Sequence, residues 1–325
     1  MQTGFGGETA CGVDGAESAL VSVIVPVYNA QQHLNQLIRS FEGSSYRYIE
    51  VIIVDDASEP PTQLPETSLS VSLLRNERNI GKAYSVNRGA RIAAGQYLVV
   101  MDPDIEPATD LLKTWVEELD IDSKVGVAGA YVYFRETPRR ITHAGALMSK
   151  RTRFLIRRLR NAVDLGLSQS GFRSPHLVLD DIYIVRAEAW KRVGGFDDAN
   201  FDAMFEDADL QKRIAALGYD IAIIPNAKAY HAEDARAGSL PSAAWVNRVL
   251  TGYKLRALPR SRLVFLRKHK LVSRPVLYLN GFLLLCGYGI LALAGVGSLQ
   301  RRLNRLGVVL RAVADGMLRQ IKTAD

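Results

Sequence analysis

The stretch "QYLVVMDPDIEP", residues 96–107, decides how this chain is read. Its apolar run from Tyr97 to Met101 reads as a strand buried on both faces. Asp102, Pro103 and Asp104 follow at once. Two carboxylates so close repel each other, and their place at a strand end needs a cause. Acids after a strand can cap the next helix. They can also hold a hard divalent cation, Mg²⁺ or Mn²⁺, which takes one or two carboxylates and leaves its other positions to water and phosphates. Pro103 would stiffen the turn so that both acids aim at one spot.

Outward from this point the pattern alternates. "VSVIVPVY" (21–28) is a buried strand, and "AQQHLNQLIRSF" (30–41) a helix with Leu34, Leu37, Ile38 and Phe41 at helical spacing. "EVIIVDDAS" (50–58) and "VSLLRN" (71–76) are strands, and "GKAYSVNRGARIAAG" (81–95) a helix closed by Gly95. "TDLLKTWVEEL" (109–119) is a helix with Leu111, Leu112, Trp115 and Leu119 on one face. Strands alternating with helices predict an α/β fold: a mostly parallel sheet, right-handed crossovers and helices on both sides. Ligands of such sheets sit beyond the carboxyl ends of the strands, where Tyr28, Asp55, Asp56, Asp102 and Asp104 fall. After "VGVAGAYVYF" (125–134), residues 135–180 are basic and irregular, with the cluster Arg151, Arg153, Arg157, Arg158 and Arg160. Order returns with "IYIVRAEAWKRVGGFD" (182–197), the helix "FEDADLQKRIAALG" (205–218), and one or two strands in "YDIAIIPNAKAYH" (219–231).

The chain has 325 residues, 48% of them hydrophobic, enough for one large or two modest domains. Cys11 and Cys286 lie far apart, which argues against a disulfide framework and for a reducing compartment. The net charge of +7 is unevenly placed: from residue 251 on, 14 Lys or Arg face Asp315 and Asp325, so that tail is +12 and the rest −5. A basic tail on an acidic body implies an anionic partner. Residues 1–19 carry no Lys or Arg and no apolar core, unlike a signal peptide, and read as a disordered lead-in.

Three further segments could carry chemistry. "VDDAS" is a common turn composition, yet Asp55 or Asp56 could accept hydrogen bonds from a nucleobase or ribose. Asn79, Gly81 and Asn87 surround a helix start, which favours polar or anionic ligands. The glycine pattern is neither a dinucleotide fingerprint nor a Walker A run. In "FEDADLQKRI" the acids suit the positive end of the helix dipole; alternatively Asp207 is a general base, with Glu206 positioning it or the acceptor. His231 is a polar strand-end residue or a metal ligand from the far side.

Together, "VSVIVPVYNA", "VIIVDDAS", "NERNIGKAYSVNRGARIAAG", "YLVVMDPDIEP" and "VGGFDDANFDAMFEDADLQKRIAALGYDIAIIPNAKAYH" resemble the family 2 glycosyltransferases of the GT-A fold, over roughly residues 20–235. Within that family they look most like the non-processive, rhamnosyltransferase-like branch of bacterial polysaccharide enzymes. The resemblance implies that Pro26, Tyr28 and Asn29 meet the nucleotide, that Asp55 or Asp56 contacts its base, and that Asn79, Gly81 and Asn87 pack on it. Asp102 and Asp104 match the DxD motif, Asp104 as direct metal ligand and Asp102 nearer ribose or metal. Asp207 matches the catalytic base, and His231 a metal or diphosphate contact. The implied reaction is inverting transfer of one sugar from a nucleotide sugar, with dTDP-rhamnose as the guess and UDP- or GDP-sugars open. The QxxRW motif of processive synthases is absent.

The tail adds an expectation of its own. Val276 to Leu299 holds 24 residues without a charge, roughly 36 Å as a helix, against about 30 Å of hydrocarbon. It spans, re-enters or lies in the membrane plane, with re-entrant or in-plane placement preferred because both flanks are basic. A soluble hairpin buried against protein is the other reading. Leu303, Leu306, Leu310, Val313, Met317 and Ile321 form one face of an amphipathic helix suited to an anionic membrane surface. The expected division is 20–250 catalytic and 251–325 membrane-associated. The expected setting is the cytoplasmic face of a bacterial inner membrane, with a lipid-linked saccharide acceptor and no nucleic acid. A receiver-type phosphorylation switch would need Thr or Ser and then Lys at the next strand ends, and "VGVAGAYVYF" offers neither. A nucleotide-binding membrane scaffold without transferase activity is a second rival.

Overall fold

The structure is a computed structural model that describes residues 19–149, 153, 155–164, 171–201, 204–232, 253–294 and 298–322. Most of the expected lead-in, residues 1–18, lies outside the described residues; Ala19 is buried in the core. The sheet is laid down by β1 (Val21–Val27), β2 (Ile49–Asp55), β3 (Ser70–Arg75) and β4 (Tyr97–Met101). β4 and β1, β1 and β2, and β2 and β3 pair in parallel. Helix α1 (Gln31–Glu42) and α3 (Leu111–Ile121) cover one face; α2 (Lys82–Ile92) covers the other. The apolar residues expected on α1 and α3 are buried, Trp115 completely. One boundary differs: α2 stops at Ile92 with Ala93 already extended. Gly95 is not its cap; its N–H donates to Ser22 Oγ (2.8 Å) at the start of β1.

The second half makes the sheet mixed. β5 is Ile105–Pro107, β6 Val125–Phe134 and β7 Thr137–His143. β8 (Ala146–Met148), β9 (Leu155–Arg157) and β11 (Leu177–Val178) form a separate three-stranded sheet within the region read as irregular. β10 (Phe172–Arg173) and β13 (Asp220–His231) complete the far edge. β12 (Ile182–Arg186) lies between β4 and β6 and runs antiparallel to both. The order is β10-β13-β6-β12-β4-β1-β2-β3. The "YDIAIIPNAKAYH" segment is one strand with a register shift between Ile223 and Lys228. Helices α4 (Ala187–Val193) and α5 (Glu206–Ala216) pack on the α2 face.

Three helices follow: α6 (Lys254–Lys268), α7 (Arg274–Ala294) and α8 (Leu299–Leu318). They are stitched to the body. Phe265 and Val264 of α6 pack with Phe201 and Ala208, and Arg260 donates to Asn200 C=O (2.9 Å) and Asp315 (2.6 Å). The apolar run is one continuous helix rather than a re-entrant hairpin, since none of its glycines breaks the pattern before residue 294. Leu277, Gly281, Leu284, Gly289 and Ala292 of α7 face inward, while Val276, Leu279, Phe282, Leu283 and Ile290 are exposed. Of the stripe expected to meet a membrane on α8, Leu303 and Leu310 are exposed while Val313 is buried, together with Val309, Ala312 and Gly316. Small residues decide this, because a Cβ at 316 would sit 2.8 Å from Arg260 C=O. In the basic cluster, Arg151 lies outside the described residues and Arg158 stacks 3.6 Å over the Phe172 ring.

The strongest tie between body and tail is Asp209, fully buried on α5. It meets Lys268 (2.7 Å), His269 (2.8 Å) and Arg213 (2.8 Å). Burial alone would raise its pKa; the His269 hydrogen bond and the charges of Arg213 and Lys268 outweigh that and hold it at about 2. Asp209→Asn removes the buried negative charge that these three groups share, leaving Lys268 only Asp197 (2.6 Å) as an ion-pair partner among the described residues, a loss of about 3 kcal/mol. The expected outcome is a fall in Tm of roughly 5 °C or more in thermal unfolding. Because the folded pKa is depressed, this contribution is complete above about pH 4 and is lost as pH falls through about 2. An unchanged Tm would show that the cluster does not hold the tail.

Candidate active site

The parallel strands β1, β2 and β4 all end at one edge, and β12, running the other way, begins there. Asp102 N–H donates to Asp181 C=O (2.8 Å), which locks the two strand ends together. The N-terminus of α5 brings Glu206 and Asp207 to the same edge, and the end of β13 brings His231.

A cleft of about 990 Å³ opens above the edge. Pro26, Tyr28, Asp56, Asn79, Gly81 and Asp102 line it, together with the cations Arg78, Lys82 and Arg256. Asp56 shapes it by accepting from Asn76 Nδ2 (2.7 Å), Ile80 N–H (3.0 Å) and Gly81 N–H (2.8 Å). Gly81 has φ +107°, open only to glycine at low cost. Three expected residues are not among those lining the cleft. Asp55 is buried, accepts from Ser58 N–H (2.9 Å), Thr62 N–H (3.2 Å) and Arg75, and organises the loop after β2. Burial opposes, but these bonds hold its pKa below the usual carboxylate value. Asn29 ties the same loop through Ser58 Oγ (2.9 Å) and Glu59 N–H (2.8 Å). Asn87 clips α2 to residues 196–198, accepting from Phe196 N–H (2.8 Å) and donating to Phe196 C=O (2.8 Å) and Asp198 (3.0 Å).

At the other side of Asp102, Asp104 Oδ2 lies 3.6 Å from His231 Nε2. Pairing of β5 with β13 sets this, Ile105 opposite His231, with Ala232 N–H donating to Asp104 C=O (3.1 Å). Two carboxylates and an imidazole are donors of the kind that Mg²⁺ and Mn²⁺ accept, although among the described residues the ligand atoms that converge within 4.8 Å of one another are those of His143, Asp180 and Asp181. Burial pushes Asp102 up to about 6; Asp181 and Asp104 add to this and Lys82 opposes it. Crowded acids of raised pKa fit a site that a divalent cation neutralises.

Below Lys82 lies a second cavity of about 440 Å³, walled by Asp180, Asp181, Glu206 and Asp207 on one side and by Leu258, Leu284 and Tyr288 of the C-terminal helices on the other. Asp207 accepts from Tyr183 Oη (2.7 Å), and its second oxygen lies 3.5 Å from Lys82 Nζ. Burial raises the Asp207 pKa, against Lys82 and Tyr183. Glu206 Oε2 is buried without a hydrogen-bond partner. Burial and the charge of Asp207 push Glu206 up to about 8, and burial raises its neighbour as well, so the two adjacent carboxyls resist being ionised together. Met204 and Phe205 precede them at φ +64° and +69°, conformations costly for bulky residues and kept at functional sites. Phe205 packs against Phe265 of α6 (5.4 Å), so the tail holds the turn that aims the two acids.

Several site residues escaped the sequence reading: Lys82, Tyr183, Arg256, Tyr253, and the buried His143 bonded to Asp181 (2.7 Å). Two left a trace. A tyrosine inside a buried strand needs a partner for its hydroxyl. A lysine in the first turn of a helix opposes the dipole, a local cost that points to another role.

The glycosyl transferase family 2 model matches residues 22–177. An uncharacterised glycosyltransferase of Haemophilus influenzae is 38% identical over 86 residues, covering 26% of this chain and 29% of that protein. The amylovoran biosynthesis glycosyltransferase AmsB of Erwinia amylovora is 32% identical over 99 residues, 28% of this chain and 33% of its own. The matches thus span about a third of these relatives. The mannosyltransferase PcManGT of Pyrobaculum calidifontis, solved with GDP-Man and Mn²⁺, superposes with a TM-score of 0.53 at 18% identity, over 94% of this chain and 89% of that one, which establishes the shared GT-A fold. Residues 22–177, just under half of the chain, thus match glycosyl transferase family 2.

Proposed function

We propose that the protein is a metal-dependent, inverting glycosyltransferase that moves one sugar from a nucleotide sugar to a hydroxyl of a lipid-linked saccharide in cell-surface polysaccharide synthesis. The observation that carries the reading is the meeting of two cavities at Lys82, Asp102 and Tyr253. A cleft with cations and polar backbone suits the nucleoside diphosphate, and a cavity that holds Asp207 suits the acceptor. Asp102, Asp104 and His231 would hold Mg²⁺ or Mn²⁺, whose chemistry is to neutralise the departing diphosphate. That PcManGT was solved with GDP-Man and Mn²⁺ supports this donor class. The base of the donor is open among dTDP, UDP and GDP, and the rhamnosyl branch is a reading of the sequence alone.

Asp207 would take the proton of the attacking hydroxyl. Tyr183 fixes one oxygen and leaves the other turned toward Lys82 and the cavity. Glu206, protonated, would donate to the acceptor rather than compete for its proton. A single positioned base on the acceptor side is the arrangement that inversion requires.

Membrane association would come from residues 251–325, though the division from the catalytic part 20–250 is not clean, since α6 and α7 also wall the two cavities. α7 is the one described helix long and apolar enough to cross a membrane by length and composition. Its inward face is taken up by α6 and α8, so we read it as lying on the cytoplasmic surface of a bacterial inner membrane with its outer face in lipid. The nearby Arg301, Arg302 and Arg311 would add about 1 kcal/mol each on an anionic leaflet.

Asp207→Asn should lower turnover about 100-fold or more, with nucleoside diphosphate binding in Mn²⁺ changed less than about threefold by calorimetry. Retained turnover would remove Asp207 as base. Chelation should abolish transfer and Mn²⁺ restore it, and Asp104→Asn should raise the Mn²⁺ requirement about tenfold or more; transfer indifferent to chelator would sink the metal reading. Replacing Phe282 and Leu283 with Ser should reduce cosedimentation with anionic vesicles while nucleotide binding persists, whereas equal cosedimentation would show that α7 is not the lipid face.

A further inference from the structure

Lys82 Nζ sits 2.9 Å from Asp102 Oδ1 and 3.5 Å from Asp207 Oδ2. It lines both cavities. One fixed positive charge therefore pairs at once with an acid of the metal end and with the acid at the acceptor end.

We propose that Lys82 makes the binding of the divalent cation and of the nucleoside diphosphate mutually dependent. The inference rests on the transferase reading and gives Lys82 a role that reading does not assign. With the cleft empty, the ammonium already neutralises Asp102. A divalent cation arriving alone meets that positive charge and must compete for the same carboxylate. A diphosphate changes the balance. Lys82 follows Gly81, whose N–H and that of Ile80 hold the cleft-lining Asp56, and it opens helix α2, whose N-terminus attracts phosphate. Phosphate oxygens in the cleft give the ammonium a second anionic partner, release Asp102, and offset the repulsion between ammonium and cation. By linkage, each ligand then tightens the other by the same factor. The device also protects Asp207: a cation without its nucleotide is kept from an acid that must stay free for the acceptor.

The test measures free Mn²⁺ by electron paramagnetic resonance in titrations of the full chain, without nucleotide and with UDP, GDP or dTDP. For the wild type, the nucleotide that binds should tighten Mn²⁺ about tenfold or more, within the usual range of coupling. Lys82→Met should bind Mn²⁺ about tenfold more tightly than wild type when no nucleotide is present, and the gain from nucleotide should be smaller than in the wild type. Lys82→Arg, which keeps the charge, should retain the coupling. Should the Met variant fail to fold by its melting curve, Lys82→Gln carries the same expectation. Equal Mn²⁺ affinity of wild type and neutral variant without nucleotide overturns the role of Lys82 and leaves the transferase reading standing. No Mn²⁺ binding by the wild type with any of the three nucleotides, matched by Asp104→Asn, overturns both.

Discussion

Mutual repulsion among acids at one sheet edge is the constraint around which this molecule is arranged. Asp102 and Asp104 end the β4 region, Asp180 and Asp181 begin β12, and Glu206 and Asp207 open α5. Left alone, such a group would raise its own pKa values until most of it was neutral. The structure relieves the strain differently for each member. Asp102 has Lys82 (2.9 Å), Asp181 has His143 (2.7 Å), Asp207 has Tyr183 (2.7 Å), and Glu206 holds its proton. The result is a graded set of acids within one small volume, and pairs pushed apart in protonation are what acid–base assignments are made from.

The C-terminal helices belong to the same argument. Phe265 backs the strained Met204–Phe205 turn, Arg256 lines the larger cleft, and Leu284 and Tyr288 close the cavity below Asp207. The basic character of residues 251–325 therefore has two destinations. Part of it serves the cleft or is tied down inside, as Arg260 and Lys268 are. Only the remainder is available to an outside anion, so net charge overstates the attraction of this tail to a membrane.

The first half of the fold was legible because its signals are periodic and local. The two-sided burial of "VSVIVPVY" and "YLVVM" and the 3.6-residue spacing of α1 and α3 leave few alternatives, and the rule that ligands gather at carboxyl ends of parallel strands located the acids. The reading weakened where contacts are long-range. An antiparallel β12 reads like a parallel one, since both are apolar runs, so the approach of Asp181 to Asp102 carried no local mark. Asn87 looked like a ligand residue because an amide near a helix start is ambiguous; its partners, Phe196 and Asp198, lie more than a hundred residues on. On α8 the leucine stripe said nothing of the side that packs on protein, where Ala312 and Gly316 lie, since close approach favours the smallest side chains over the most apolar.

A helix such as α7 must satisfy two solvents. Leu284 and Tyr288 line the cavity that holds Asp207, and Phe282 and Leu283, a fraction of a turn away, are exposed. Successive residues on a helix point about 100° apart, so the exposed apolar surface and the cavity wall are adjacent sides of one rod about 32 Å long. If the outer side lies in lipid, the acceptor cavity opens within a helix diameter of the hydrocarbon boundary. An acceptor anchored by a lipid tail then needs no extraction into water to bring its sugar to Asp207, and the loss of translational freedom on binding is already incurred by anchoring. On that reading, the same packing that fixes α7 against α8 would set how far above the membrane the reacting hydroxyl stands.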